Sequence, residues 1–248
     1  MNTEAETTTS GRQALVTGGA RGLGAAIVRR LATSGATVLV ADVRQEQAKE
    51  LCEGLLAEGL RARQVGLDVR DPEAVGELFG DLDAAGEPVD VLVNCAAVDV
   101  TKSVSELTAE EITRVITTDL LGPMYLCREA FRRMADRGGG HIVNILSTAA
   151  LRTWTEAGPY AAAKTGLRAF THTLFQEARR DCPGIGVTGV VAGGMETPFI
   201  MERFPDTDTA LLQSPDVVAD AVMYALSVPA GSAAAELVVV PRREVSWP

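Results

Sequence analysis

The chain has 248 residues, 46% apolar and 23% charged, enough to bury the core of one compact domain or at most two small ones. Its formal net charge of −10 disfavours nucleic acid and anionic membrane as partners, and no run of Lys or Arg suggests a local basic patch. Residues 1–11, MNTEAETTTSG, carry neither a basic stretch nor an apolar core and read as a flexible tail rather than a secretory leader; with no apolar run of membrane-spanning length, a cytoplasmic protein is expected.

From 13 onward, short β-branched runs alternate with amphipathic stretches. QALVTG (13–18) predicts a buried strand, and GLGAAIVRRLATSG (22–35) a helix with Ile27, Val28 and Leu31 on one face and Gly35 closing it. TVLVAD (37–42) is the second strand, followed by a helix over about 45–57. RARQVGLDV (61–69) is the third; Asp71, Pro72 and Glu73 then supply an N-cap, a first-turn proline and a first-turn acid. VDVLVNCAA (89–97) is the fourth, and Thr108 with Glu111 forms a capping box opening a long helix to about Arg133. GHIVNILS (140–147) is the fifth, followed by a helix over about 158–180, and IGVTGVV (185–191) is the sixth. Ser214, Pro215 and Asp216 start a last helix before AELVVV (235–240), the seventh strand. This order predicts one α/β domain over 12–248, with a mostly parallel seven-stranded sheet doubly wound by helices on both faces.

The four cysteines, Cys52, Cys95, Cys127 and Cys182, lack a C-x-x-C pair and read as free thiols of a reducing compartment. Two histidines, His141 and His172, are too sparse to suggest zinc, so no metal site is expected.

TGGARGLG (17–24) stands at the first strand–helix join. Glycines there let the backbone approach a phosphate, and the helix N-terminus offers unpaired N–H groups. Any tight turn of this kind favours glycine, so the strand–helix context carries the reading. Asp42 ends the second strand, where a carboxylate can accept from both hydroxyls of an adenosine ribose and repel a 2′-phosphate; the alternative is a turn or capping aspartate. In GPYAAAKTGL (158–167), Tyr160 and Lys164 are one helical turn apart on one face. An ammonium beside a phenol lowers its pKa, which makes the pair an acid/base expected to be tuned toward neutrality. Ser147 ends the fifth strand, at the sheet edge where open α/β folds keep their ligand crevice.

TGGARGLG, LDVRD (67–71), VNCAA (93–97), Ser147 and the Tyr160/Lys164 pair, in this order, resemble the short-chain dehydrogenase/reductase family over nearly the whole chain. The resemblance implies a Rossmann-like domain and a nicotinamide cofactor contacted by Thr17, Gly18, Arg21, Gly22, Leu23, Gly24, Asp42, Asp68, Val69, Asn94, Ala96, Tyr160, Lys164 and Thr197. Asp68 and Val69 are expected to flank the adenine, Asn94 to bond the loop holding the cofactor, and Thr197 to reach the carboxamide. The ordinary alternatives are a strand-end cap for Asp68, a satisfied buried amide for Asn94 and a loop residue for Thr197. Ser147 is expected to hold the substrate oxygen toward Tyr160, and Lys164 to bind the nicotinamide ribose. Arg21 stands where NADP-preferring members often carry a base, but Asp42 opposes it, so NAD(H) is expected and NADP(H) is the runner-up.

Three positions depart from the family pattern. Asp119 replaces the usual Asn of the catalytic group; if buried and ionised it would raise the Lys164 pKa and oppose phenolate formation at Tyr160. The usual Asn-x-x-x-Pro-Gly stretch reads Thr188 to Ala192 and Gly193, so a looser loop toward the nicotinamide is expected, and Ala97 replaces a common Gly. The substrate pocket is expected near Ala97, Val98, Ala149, Thr153, Trp154, Met195 and Phe199, with a short lid over 198–213. A homodimer or homotetramer is expected on the helices of 108–134 and 158–180, with 241–248 near a subunit interface. The expected function is interconversion of a small or medium secondary alcohol and its ketone with NAD(H). An NADP(H)-dependent ketoreductase, a reaction with transient oxidation, and a cofactor-binding sensor with little turnover are the alternatives.

Overall fold

A computed structural model of the protein describes residues 9–229 and 231–244. Seven strands form one sheet, all neighbours parallel, in the order β3-β2-β1-β4-β5-β6-β7. They are β1 (Gln13–Thr17), β2 (Thr37–Asp42), β3 (Arg61–Gly66), β4 (Val91–Asn94), β5 (Gly140–Ser147), β6 (Ile185–Ala192) and β7 (Glu236–Val239). Helices α1 (Gly22–Thr33), α2 (Gln45–Ala57), α3 (Pro72–Ala84), α4 (Ala109–Ile116), α5 (Gly122–Arg137), α6 (Gly158–Asp181), α7 (Pro198–Met201) and α8 (Pro215–Ser227) connect them.

Alternation along the strands sorts the core into two layers. Ala14, Val16, Val38, Val40, Val91 and Val93 pack with Ile27, Val28 and Leu31 of α1, Leu55 of α2 and Val222 of α8. Leu15, Leu39 and Leu92 face the other way, onto Phe79 of α3, Leu126 and Met134 of α5 and Leu174 of α6. Both faces are thus buried, which is why these strands read as continuous apolar runs. The order reverses at β1, between β2 and β4, and leaves a crevice at the strands' C-terminal ends.

The long helix expected over 108–134 is interrupted by a π-helical stretch over Thr117–Leu121. Pro123 has no N–H for the Asp119 carbonyl, so a regular α-helical ladder cannot run through this point. Gly122 presses on Val69 there: a Cβ on it would lie 2.9 Å from the Val69 side chain. The fourth strand stops at Asn94 rather than 97 because Thr17 Oγ1 accepts from the N–H groups of Cys95 (3.1 Å) and Ala96 (3.3 Å), drawing the chain off the ladder. The third strand ends at Gly66 instead of 69.

The last residues of the tail expected over 1–11 pack on the domain: Thr9 is buried with its hydroxyl hydrogen-bonded to Ser34, and Gly11 N–H donates to the Gly35 carbonyl at 3.1 Å. Residues 1–8 lie outside the described residues, as do 245–248 of the C-terminal stretch. All four cysteines are free thiols, Cys52 and Cys127 buried. His141 hydrogen-bonds Thr188 (2.9 Å) and His172 meets Glu236 (3.0 Å). Among the described residues, no helix is long and apolar enough to cross a membrane.

Candidate active site

The β1–α1 turn is built on close backbone approach. Gly18 has φ +64°, and a Cβ on it would sit 2.7 Å from the Ala96 Cα; at Gly24 a Cβ would lie 2.0 Å from the Gly18 carbonyl oxygen. Asp71 and Ser214 accept from N–H groups of α3 and α8. At α1, by contrast, Arg21 in the N-cap position makes no capping hydrogen bond and the first turn has no acid. Its N-terminal donors and positive dipole end are therefore open to an anion in the crevice.

That crevice is a cleft of about 830 Å³, lined by Gly18, Arg21, Gly22, Leu23 and Gly24 at the turn and by Asp42, Asp68, Val69 and Ala96 at the strand ends. Ser147, Tyr160, Lys164 and Thr197 also line it. Thr17 lies behind this wall, fixing the Cys95–Ala96 backbone through its hydroxyl. Asp42 is buried; Oδ2 accepts from Ala20 N–H (3.1 Å) and Oδ1 from Arg44 N–H (2.9 Å), so the carboxylate is aimed at the turn. Asp68 pairs with Arg70, whose guanidinium holds its carboxyl below the usual aspartate range. Arg21 makes a two-pronged ion pair with Glu202 just beyond α7.

Asn94 does not reach the cofactor-side loop. Its Nδ2 donates to Asn144 Oδ1 (2.8 Å) and Cys127 Sγ (3.3 Å) inside the sheet, and Asn144 in turn donates to Thr171 (2.9 Å). Asn94 is thus a buried amide but not the satisfied one of the alternative reading: its Oδ1 has no hydrogen-bond partner among the described residues. Ala149 also departs from expectation: it is fully buried in a cluster with Val115, Tyr160 and Ala163, while Ala97, Val98, Thr153, Trp154, Met195 and Phe199 line the cleft.

At the inner end, β5 delivers Ser147 and the first turns of α6 deliver Tyr160 and Lys164, with Pro159 in the first helical turn. Ser147 Oγ accepts from Ala149 N–H at 3.1 Å. Lys164 Nζ donates to the Ile145 carbonyl (3.2 Å), stands 3.5 Å from Asp119 Oδ2 and lies 5.6 Å from the Tyr160 ring centre. Asp119 is fully buried; its Oδ1 accepts from Val98 N–H at 2.8 Å. The π-helical stretch aims it inward.

Burial pushes the Asp119 carboxyl up to about 6, against the pull of Lys164 and the Val98 N–H, with Asp99 adding to the rise. Burial opposes the Lys164 charge, but Asp119, Tyr160 and Cys95 together hold its pKa above the ordinary lysine value. Tyr160 corrects the sequence expectation. Burial raises its pKa above that of a free tyrosine; Lys164 and a hydrogen bond with Ser147 pull it down, Asp119 and Asp99 push it up, and the rise wins. The protein's own groups alone therefore do not tune it toward neutrality.

Three further features were not legible in the sequence. The Phe199 ring stands 5.9 Å from that of Tyr160, and the Arg203 guanidinium stacks 4.1 Å over Phe199 while pairing with Asp99. Residues 104 apart thereby close the lid segment over the inner end, and no spacing rule links them. Glu244 returns from the C-terminal stretch so that its Oε2 accepts from Gly194 N–H at 2.7 Å. The Gly193–Gly194 loop, expected to be loose without its proline, is thus tied down, with Gly193 N–H also bonded to Val239 at 2.9 Å. Glu156, which lines the cleft just before α6, adopts φ +65°, a conformation that costs a non-glycine residue energy.

Comparison with known proteins agrees with this geometry. The short chain dehydrogenase family model matches residues 12–208. An uncharacterized oxidoreductase of Thermotoga maritima is 40% identical over 187 residues, 75% of this chain and 72% of that protein. The 3beta-hydroxysteroid dehydrogenase 1 of Eggerthella lenta is 36% identical over 202 residues, 80% of this chain and 76% of that protein. A crystal structure of an actinorhodin polyketide ketoreductase variant with NADPH superimposes with a TM-score of 0.86 at 31% identity, covering 96% of this chain and 98% of that one. The chain belongs to the short-chain dehydrogenase family: an oxidoreductase fold that uses a nicotinamide cofactor and acts on small molecules.

Proposed function

We propose that this short-chain dehydrogenase interconverts a small or medium secondary alcohol and its ketone with NAD(H). The observation that carries the reading is the Tyr160 hydroxyl at the inner end of the cleft, between Ser147 and Lys164, with Asp42 at the outer end. The uncapped N-terminus of α1 suits the pyrophosphate, Asp42 the ribose diol, and Thr197 and Lys164 the nicotinamide end. Bound there, the nicotinamide supplies the hydride donor or acceptor, and its oxidised form adds positive charge beside Tyr160. In the oxidation direction, Ser147 holds the alcohol oxygen, Tyr160 takes the hydroxyl proton as the carbinol hydride leaves, and the Lys164 ammonium stabilises the phenolate. In reduction Tyr160 returns the proton to the carbonyl oxygen. The related 3beta-hydroxysteroid dehydrogenase supports a secondary-alcohol substrate. A homodimer or homotetramer on the helices of about 108–134 and 158–180 is part of the same reading; solution mass tests it.

Tyr160→Phe is the deciding experiment. Removing the acid/base should lower turnover by about 100-fold or more, since such groups contribute roughly 10²–10⁴-fold. NADH affinity, followed by nicotinamide fluorescence, should stay within about threefold. A variant that keeps its turnover removes Tyr160 from the mechanism; wild-type protein that binds NADH and turns over none of a broad alcohol and ketone panel favours the sensor alternative.

A further inference from the structure

The outer rim of the cleft gathers two bases and two acids. Ala20 N–H bonds Asp42 Oδ2 at 3.1 Å, which places the next residue, Arg21, beside that carboxylate. Arg44 Nη1 stands 3.7 Å from Asp42 Oδ1. Glu202, on the turn that follows α7, grips Arg21 with both oxygens, the Nη2–Oε2 contact at 3.0 Å. The hydrogen bond from Arg21, its charge and the more distant charge of Arg44 hold Glu202 below the usual glutamate range, so it stays ionised at neutral pH. The four charges cancel.

An adenosine ribose with free hydroxyls can be accepted by Asp42 in a neutral setting. A 2′-phosphate brings about two negative charges and needs a cation whose donors are free. Arg21 is the rim cation attached to the phosphate-binding turn itself, and its guanidinium fork is already filled by a carboxylate 181 residues away. We propose that Glu202 is a cofactor-selectivity residue of this chain, acting by occupying Arg21 and so denying a 2′-phosphate its partner. The inference rests on the NAD(H) reading above and extends it: selectivity is set by the lid side of the cleft as well as by Asp42. Glu202 is 59% exposed and its ion pair contributes little to stability, so replacing it leaves the fold intact.

The test is a fluorescence titration of NADH and NADPH into the wild type, Glu202→Gln, Arg21→Ala and the double variant. Glu202→Gln should tighten NADPH by about three- to fivefold, since removing a competing surface ion pair returns no more than that weak pair holds, and leave NADH affinity unchanged. The gain should vanish in the double variant, because it is carried by Arg21. Unchanged NADPH affinity overturns the proposal. So does an equal change for both cofactors, which would make Glu202 a lid pin alone, or a gain that survives loss of Arg21. The NAD(H) reading fails separately: wild-type protein that binds NADPH more tightly than NADH refutes it, whatever Glu202→Gln does to the ratio.

Discussion

At the outer end of the cleft the side chains of Arg21 and Glu202 are 28% and 59% exposed; at the inner end those of Lys164 and Asp119 are 4% and 0% exposed. The outer end is shaped by backbone: Gly18 and Gly24 allow contacts no side chain could make, and its charges, the buried Asp42 apart, are partly or largely exposed and matched in pairs. The inner end is shaped by charge: Tyr160, Lys164 and Asp119 share one poorly solvated site, where Lys164 is coupled to both acids and Asp119 raises Tyr160. Screening by water makes single charges cheap to change at the first and costly at the second. A steric change should therefore dominate at the outer end, and a change of charge at the inner end.

Of the changes that probe this contrast, the largest effect is expected from Gly24→Ala. Its methyl would lie 2.0 Å from the Gly18 carbonyl oxygen, so the turn must move. Overpacking of this kind costs about 1–3 kcal/mol, which corresponds to a roughly 5- to 150-fold loss of NADH affinity if the strain falls on the phosphate-binding turn. Fluorescence titration measures it, and normal affinity would show that the turn is not the binding element.

Asp119→Asn comes next and probes the inner end. With its carboxyl raised to about 6, Asp119 is ionised above that pH and, with burial, holds the Tyr160 pKa up. Alcohol oxidation needs the phenolate, so the acid limb of kcat/KM should move to lower pH in Asp119→Asn, by about one unit for the loss of a nearby like charge. Below pH 6 wild-type Asp119 takes up its proton and the two profiles should converge. A limb that stays in place would mean that Asp119 acts on Tyr160 through its Val98 hydrogen bond alone.

The smallest effect is expected at Glu244, whose carboxylate ties the Gly193–Gly194 loop. Glu244→Ala removes one hydrogen bond to a charged group, worth about 1.5 kcal/mol, so KM for the cofactor should rise about tenfold or less. Glu244→Gln, which keeps an acceptor for Gly194 N–H, should recover most of it. Equal losses in both variants would assign the effect to charge rather than to loop position.

The fold was legible because it follows from local rules. Period-two alternation split each strand between two helix layers, and Asp71, Thr108 and Ser214 do cap the helices they precede. The break at Thr117–Leu121 was missed because the apolar pattern runs through it; Pro123 was its one visible cause. Ser147, Tyr160 and Lys164 could be grouped in advance, since a strand end and one helical turn fix their relative places. Asn94 could not be placed, because which way a strand-end amide turns depends on Asn144 and Cys127 across the sheet.

By itself the sequence determined the order of elements, the glycine turn and the spacing of the acid/base pair, all properties of hydrogen bonding and sterics within a few residues. Only the tertiary structure decided that Arg21 meets Glu202, Asp99 meets Arg203, and Glu244 meets the loop at Gly194. It also decided that burial outweighs Lys164 at the Tyr160 hydroxyl. The physical reason is that Coulomb and desolvation energies depend on distance and on water exclusion, and neither is set by separation along the chain.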